Sequence, residues 1–292
     1  MRLRVRAKTG ILLLLPIVCI FLCVLLAGTA QLKNKTITSY PKSTIWNQYP
    51  NPSVKLTKNT KSDPQSTGAD LDSHPSTSRI QSQDVASSQV NTIANIRQYS
   101  PKYKIAWADQ TNYGERFIKD VNGVPVNNKP IIVLHETDAS SSSVINFFQE
   151  PHLDESVQAS YHTMIELDGT VVYIVPPEKR AFGAANSVFD SPYGSETVQT
   201  NPQIASSVNN FAYHVSLETP PDGHMNNLPT HSSYTEAQYH SLAWLIAQSN
   251  VPDNRITTHK AVDRSGQKID PRSFDFDKFL SLLHSYRLKT AN

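Results

Sequence analysis

The chain has 292 residues, 38% of them hydrophobic, and a net charge of +2. This length allows two domains or one domain with appended segments. The nearly neutral charge gives no electrostatic footprint for nucleic acid, which excludes that class of partner. Both cysteines, Cys19 and Cys23, lie in one N-terminal apolar run, so the rest of the chain has no disulfide and no thiolate metal ligand.

The first 30 residues have the pattern of an export signal. The basic segment MRLRVRAK precedes the uncharged run ILLLLPIVCIFLCVLLAG, and small residues follow it. The run is long for a signal peptide and short for a membrane span of about 20 residues, so the sequence leaves a cleaved signal and an uncleaved anchor both open. In either case we predict export to the periplasm or cell envelope, and membrane contact only if this segment stays uncleaved.

Residues 31–95 are predicted to form a flexible linker. They are rich in Ser, Thr, Asn, Gln, Pro and Lys and contain few large apolar residues. Such a segment buries too little apolar surface to offset the entropy lost on ordering. The predicted globular domain therefore occupies residues 96–292, with its core at about 130–283.

Periodic signals begin at KPIIVLHET, whose short apolar run predicts a buried strand. ASSSSVINFFQE, with its serine N-caps, predicts a helix, and SYHTMIELDGTVVYIVPP predicts a hairpin that turns at Asp168-Gly169. AYHVSLETPPDG predicts a strand that ends before two prolines. Thr235 and Gln238 predict a capping box for the helix YTEAQYHSLAWLIA, and FDFDKFLSLLHSY predicts a last helix. We therefore predict a single α/β domain with a central mixed β-sheet flanked by helices.

Two histidines and one aspartate are candidate metal ligands. His135 ends the strand IIVLH, His259 ends the run ITTH, and Asp270 follows in KIDPRSFDF. Strand ends hold side chains on a rigid scaffold, and catalytic zinc takes about three protein ligands with one position left open. Each residue alone is a weak signal, because a single histidine beside a strand is more often structural or exposed.

Five blocks occur in an order that is far more specific than any one of them: IIVLHET, SYHTMIELDGTVVYIVPPEKRAFGA, HVSLET, YTEAQYHSLAWLIA and ITTHKAVDRSGQKIDPRSFDF. Together they resemble the type 2 N-acetylmuramoyl-L-alanine amidases, zinc hydrolases related to peptidoglycan recognition proteins and phage T7 lysozyme. The resemblance covers about residues 130–283. It implies hydrolysis of the amide between N-acetylmuramic acid and L-alanine, with peptidoglycan or muropeptides as the substrate.

The resemblance also implies a set of site residues. His135, His259 and Asp270 match the family's ligands for one Zn²⁺ per chain. Lys268 matches a lysine that helps to stabilise the tetrahedral species formed during hydrolysis. Tyr161 matches a tyrosine that some members place near the metal as a proton donor.

The general base is assigned to Glu218 in the block HVSLET. Strand alternation puts Glu218 on the same face as His214 and Ser216, and the matching family block carries a glutamate. A shift of that match by two residues would put Ser216 in its place. Relatives often carry a histidine where this chain has Gly183, which removes a substrate contact. His162 is predicted to be structural, since the pleat turns it away from Tyr161.

Two other functions compete with that of a zinc amidase. SGQK at 265–268 spells the S-x-x-K signature of penicillin-binding proteins and β-lactamases, but the later S-x-N and K-T-G elements of those enzymes are missing. A non-catalytic peptidoglycan-binding protein on the same fold is the stronger alternative, because such proteins often lose a metal ligand. All three ligand positions are filled here, which favours catalysis. The oligomeric state stays open.

Overall fold

The structure is a computed structural model that describes residues 99–290. The predicted signal or anchor (1–30) and the predicted linker (31–95) lie outside these residues. Within 99–290, no helix is long and apolar enough to cross a membrane.

A mixed β-sheet organises the fold. The described residues form ten strands: β1 (Tyr103–Ile105), β2 (Tyr113–Gly114), β3 (Ile131–Glu136), β4 (Thr163–Ile165), β5 (Val171–Tyr173), β6 (Arg180–Ala181), β7 (Phe189–Ser191), β8 (Gly194–Glu196), β9 (Ala212–Leu217) and β10 (Ile256–Thr258). Six of them build the main sheet in the order β1-β5-β4-β9-β3-β10. Only β4 and β5 pair antiparallel in it, as the predicted hairpin. β2 with β6 and β7 with β8 form two small sheets.

Helices begin where the sequence provides caps. The α-helices of the described residues are α1 (Ser141–Gln149), α2 (Glu236–Ala247), α3 (His259–Val262) and α4 (Phe276–Thr290). The Ser140 side chain accepts a hydrogen bond from the backbone N–H of Ser143 at the start of α1. The predicted capping box of α2 is present, with both hydrogen bonds between Thr235 and Gln238.

Helices cover both faces of the sheet. Leu134 and Val215 point to one face, where they are fully buried against α2 and α4. On the other face, Phe148 of α1 packs against Met164 and Val172. Each fully buried side chain of this size contributes about 1.5–3 kcal/mol. The prediction of an α/β domain with a central mixed sheet between helices is confirmed.

The turn of the β4–β5 hairpin depends on its glycine. Gly169 has a φ of 83°, which side chains disfavour. A Cβ at this position would also come within 2.8 Å of the Ala237 carbonyl oxygen in α2. The turn therefore packs closely on the helix, and the predicted Asp168-Gly169 turn is confirmed.

Parallel pairing brings the predicted site residues to one edge of the sheet. β3 lies between β9 and β10 and pairs parallel with both. His135 is opposite Ser216 in β9, and Leu134 is opposite Thr258, the residue before His259. Because parallel strands end at the same edge, the ends of β3, β9 and β10 deliver their side chains to a common place.

Candidate metal centre

Two histidines and one aspartate converge at this edge. The donor atoms of His135, His259 and Asp270 all lie within 4.8 Å of one another. His259 Nδ1 is 3.0 Å from Asp270 Oδ1, and His135 Nδ1 is 3.4 Å from Asp270 Oδ2. His259 is the first residue of α3 and not the last of β10. The predicted convergence of the three residues is confirmed; their role as ligands stays a prediction.

The electrostatics of the group suit a cation. Burial first, and then neighbouring His259, lower the pKa of His135 to about 4, so its ring is neutral at pH 7. Burial acts to raise the pKa of Asp270, but the two neighbouring histidines outweigh it and hold that pKa well below its usual value. A neutral imidazole and an ionised carboxylate are the forms that bind metals.

A buried ion pair ties the two ligand segments together. Glu136, next to His135, pairs with the Arg272 guanidinium and also accepts a hydrogen bond of 2.9 Å from the Arg272 backbone N–H. Tyr234 donates a further hydrogen bond of 2.6 Å to Glu136. Arg272 follows Asp270 by two residues, so this pair fixes the end of β3 relative to the loop that carries Asp270. The sequence analysis missed it, although Glu136 directly after a buried apolar run was a signal.

The loop between His259 and Asp270 is held by one carboxylate. Asp263 accepts hydrogen bonds from the backbone N–H groups of Ser265, Gln267 and Lys268, and from the Ser265 hydroxyl. Burial acts to raise the pKa of Asp263, yet these hydrogen bonds lower it to about 2. Ser265, the serine of the S-x-x-K match, lies in this loop and not at the start of a helix. That placement argues against a nucleophilic role.

Lys268 and Tyr161 both lie beside the group. Lys268 is exposed, and its charge contributes to lowering the pKa of His135. The Tyr161 ring centroid is 4.7 Å from that of His135. Burial, and then the charges of Asp270 and Glu136, raise the pKa of Tyr161 far above its usual value. The Tyr161 hydroxyl therefore stays protonated at neutral pH, where it can donate a hydrogen bond.

Both carboxylate oxygens of Glu218 bond to backbone amides, and its role as the general base stays a prediction. One carboxylate oxygen accepts a hydrogen bond of 2.8 Å from the Ser141 backbone N–H, and the other accepts one of 2.9 Å from the Leu167 backbone N–H. Ser141 is the first residue of α1, so Glu218 binds at a helix N-terminus, where a negative charge is favourable. Among the described residues, no hydrogen bond or ion pair joins Glu218 to the three convergent side chains.

Two other residues of β9 lie next to His135: Ser216 and His214. Ser216 is opposite His135 in the register of β3 and β9, and its hydroxyl is buried without a hydrogen-bond partner in the described structure. His214 Nδ1 lies 2.9 Å from His135 Nε2, a hydrogen-bonding distance. Ser216 is thus the nearer of the two candidate positions along β9 to His135, and the match of the family's glutamate to Glu218 or Ser216 stays open.

The remaining histidines have other partners. His162 is structural, as predicted: its Nδ1 accepts a hydrogen bond of 2.9 Å from the His214 backbone N–H. Five further histidines bond to side chains or carbonyl groups other than the three convergent residues; they are His152, His224, His231, His240 and His284. Within residues 99–290, His135, His259 and Asp270 form the one group of this kind that could hold a metal ion.

Comparisons with known proteins agree with the residue blocks. A family model described as N-acetylmuramoyl-L-alanine amidase matches residues 125–273, just over half of the chain. No curated protein matches the sequence.

Several solved structures match this chain at low similarity. A selenomethionine derivative of AmpD is 23% identical with a TM-score of 0.43, over 63% of this chain and 96% of its own. The endolysin N-acetylmuramoyl-L-alanine amidase LysCS from Clostridium intestinale is 18% identical with a TM-score of 0.37, over 64% of this chain and 97% of its own. Drosophila peptidoglycan recognition protein SD is 13% identical with a TM-score of 0.32, over 56% of this chain and 86% of its own.

The region matched by the family model contains all three convergent side chains and the sheet edge that presents them. On the extent of that match, the chain belongs to the N-acetylmuramoyl-L-alanine amidase family.

Proposed function

We propose that this chain is a zinc-dependent amidase that hydrolyses the bond between N-acetylmuramic acid and L-alanine in peptidoglycan or muropeptides. One zinc ion is held by His135, His259 and Asp270. The N-terminal segment exports the chain, so the enzyme acts in the periplasm or cell envelope, in wall remodelling or recycling. The observation that carries the proposal is the convergence of these three donors in a member of an amidase family.

The donors fit zinc in type and spacing. Zinc binds imidazole nitrogen and carboxylate oxygen at about 2.0–2.2 Å in tetrahedral sites, which places two ligand atoms about 3.3 Å apart. The separation of 3.4 Å between His135 Nδ1 and Asp270 Oδ2 agrees with that spacing. His135 Nδ1 is also buried without a hydrogen-bond partner in the described structure, and a buried nitrogen of this kind is costly unless something binds it.

Zinc supplies a Lewis acid and lowers the pKa of water from 15.7 towards about 7. The protein's own side chains then contact the reacting groups of the substrate. The exposed Lys268 ammonium can bind the negative charge that develops on the substrate carbonyl oxygen. The protonated Tyr161 hydroxyl can donate a proton to the departing amine. Lys268 is close enough to His135 for its charge to lower the pKa of that residue, and the Tyr161 ring packs 4.7 Å from the His135 ring.

A second function is favoured by one specific observation. The carboxylate of Glu218 is occupied by two backbone amides, and the residue opposite His135 is Ser216. A hydrolase that lacks a carboxylate base beside its metal loses part of its rate, typically 10²- to 10⁴-fold for a general base. The second candidate is therefore a metal-containing protein that binds muropeptides and cleaves them slowly or not at all.

Mass spectrometry of digested peptidoglycan distinguishes the two functions. The zinc-loaded full chain is expected to release products with a new lactyl carboxylate and a free alanine amine, and a chelator should stop their formation. Tight muropeptide binding without these products would support the binding protein instead.

The metal site is tested by His259→Ala. Removing one of three ligands should abolish zinc retention and cleavage together, measured as bound zinc per chain and product yield. His284→Ala is the matched control. His284 lies on α4 and pairs with Asp253, so this variant should keep its bound zinc and its cleavage activity. Unchanged zinc content in His259→Ala would overturn the assignment.

A further inference from the structure

A third histidine contacts the predicted metal ligand His135 from the neighbouring strand. His214 in β9 is fully buried, and its Nδ1 lies 2.9 Å from His135 Nε2. The His214 ring is itself held in place, because its backbone N–H donates to His162 Nδ1 and the two rings stack at 5.8 Å with an interplanar angle of 9°. Neither the ligand set nor the proposed proton transfers assign His214 a role.

A missing side chain makes room for this ring. A Cβ at Gly183 would lie 2.5 Å from both Cγ and Nδ1 of His214. A Cβ atom does not come so close to an atom to which it is not bonded. The space next to His135 at that point is filled by an imidazole from β9.

The His135 nitrogen that binds the metal decides the direction of the hydrogen bond between His135 and His214. His135 turns Nδ1 towards Asp270 and His259. If Nδ1 binds the metal through its lone pair, the ring proton is on Nε2, and Nε2 donates it to His214 Nδ1. Metal-binding histidines commonly fix their tautomer through such a bond, usually to a carboxylate, a carbonyl group or water.

We propose that His214 is a positioning residue for the metal centre: its Nδ1 accepts the His135 Nε2 hydrogen bond and holds that ring with Nδ1 aimed at the ion, and Gly183 provides the space. The inference rests on the proposed zinc site and adds to it. His214 touches neither the ion nor the substrate, and it acts through His135 alone.

Zinc affinity of the full chain, measured by competition with a chromophoric chelator, tests the inference without relying on activity. His214→Leu fills most of the volume but accepts no hydrogen bond, and it should bind zinc about 10- to 100-fold more weakly, as other changes around metal ligands do. His214→Asn places an amide oxygen near the Nδ1 position and should recover most of the affinity. If His214 only filled space, Leu would be tolerated better than Asn.

Gly183→Ala tests the contact between His214 and His135 without changing either histidine. The added methyl group should push the His214 ring away and weaken zinc binding to a similar extent. In the His214→Ala background the methyl group has room, so Gly183→Ala should cause no further loss there. Circular dichroism checks that each variant is folded.

The outcomes separate this inference from the proposed function. Loss of zinc in His259→Ala with unchanged affinity in His214→Leu and Gly183→Ala would overturn the role of His214 and leave the metal site standing. Absence of zinc from the unmodified chain, or equal zinc binding by His259→Ala, would overturn the metal site itself and the role of His214 with it.

Discussion

Ser216 and Glu218 are two residues apart, yet their side chains have different surroundings. Ser216 lies inside β9 opposite His135, whereas Glu218 comes after the last residue of β9 and bonds to the starts of α1 and the hairpin turn. Strand alternation predicts the side of a residue only while the strand continues. The sequence could therefore place His214 and Ser216 on the site's face, but it could not place Glu218.

Glu218→Gln should reduce stability and leave the metal centre intact. An amide group can accept at only one end, so one of the two backbone N–H groups loses its partner, at a cost of about 1–3 kcal/mol in the free energy of unfolding. Urea unfolding measures this loss, and zinc content should not change. The control is Glu236→Gln, since the Glu236–Lys278 pair is exposed and should contribute only about 0–1 kcal/mol.

A large drop in turnover for Glu218→Gln at unchanged stability would contradict the structural role. It would mean that Glu218 leaves its two backbone partners when substrate binds, and that the original assignment of the base was correct.

Lys268→Ala should lower turnover and spare zinc. The Lys268 ammonium is exposed and close enough to His135 to affect its pKa, and removing one donor to a developing oxyanion costs about 10²- to 10³-fold in rate. Cleavage rate and bound zinc should be measured on the same samples. Lys260→Ala is the comparison, because Lys260 is also exposed and lies on α3. Loss of zinc from Lys268→Ala would make Lys268 structural.

Hydrogen bonds and an ion pair join the three segments that carry the predicted ligands: the end of β3, the start of α3 and the Asp270 loop. Glu136 and Arg272 are 136 residues apart and form a buried ion pair. The Lys260 backbone N–H also donates a hydrogen bond of 2.9 Å to the Asp270 carbonyl oxygen. These contacts set the distances between the ligand segments more directly than the strands do.

Arg272→Ala should destabilise the fold strongly. It leaves Glu136 buried without its cationic partner, which costs about 3–5 kcal/mol. Arg264→Ala removes the exposed pair with Asp190 and should cost about 0–1 kcal/mol, which provides the matched control. Urea unfolding of both variants should differ accordingly, and equal losses would show that the buried pair contributes no more than a surface one.

Local signals predicted the elements better than their arrangement. The Thr235–Gln238 capping box and the Asp168-Gly169 turn depend on neighbouring residues, and both are present as expected. The parallel pairing of β10 with β3 joins residues more than 120 positions apart, and no local pattern encodes it. The same holds for the space at Gly183, which becomes visible only when β9 lies beside it.

The division of the chain at about residue 96 stays a prediction from composition. A flexible linker over residues 31–95 should be the first target of limited trypsin digestion, since it contains several lysines. The expected product is a stable fragment that begins near residue 96 and retains bound zinc, identified by N-terminal sequencing and metal analysis. Earlier cleavage within residues 99–290 would contradict this division.

The sheet that presents His135 and His259 is packed by apolar side chains on both faces, so its shape owes little to an ion. Small zinc domains, by contrast, unfold when the metal is removed. If the proposed zinc site is correct, removal of zinc should therefore stop cleavage without unfolding the domain, and returned zinc should restore activity to the same molecules.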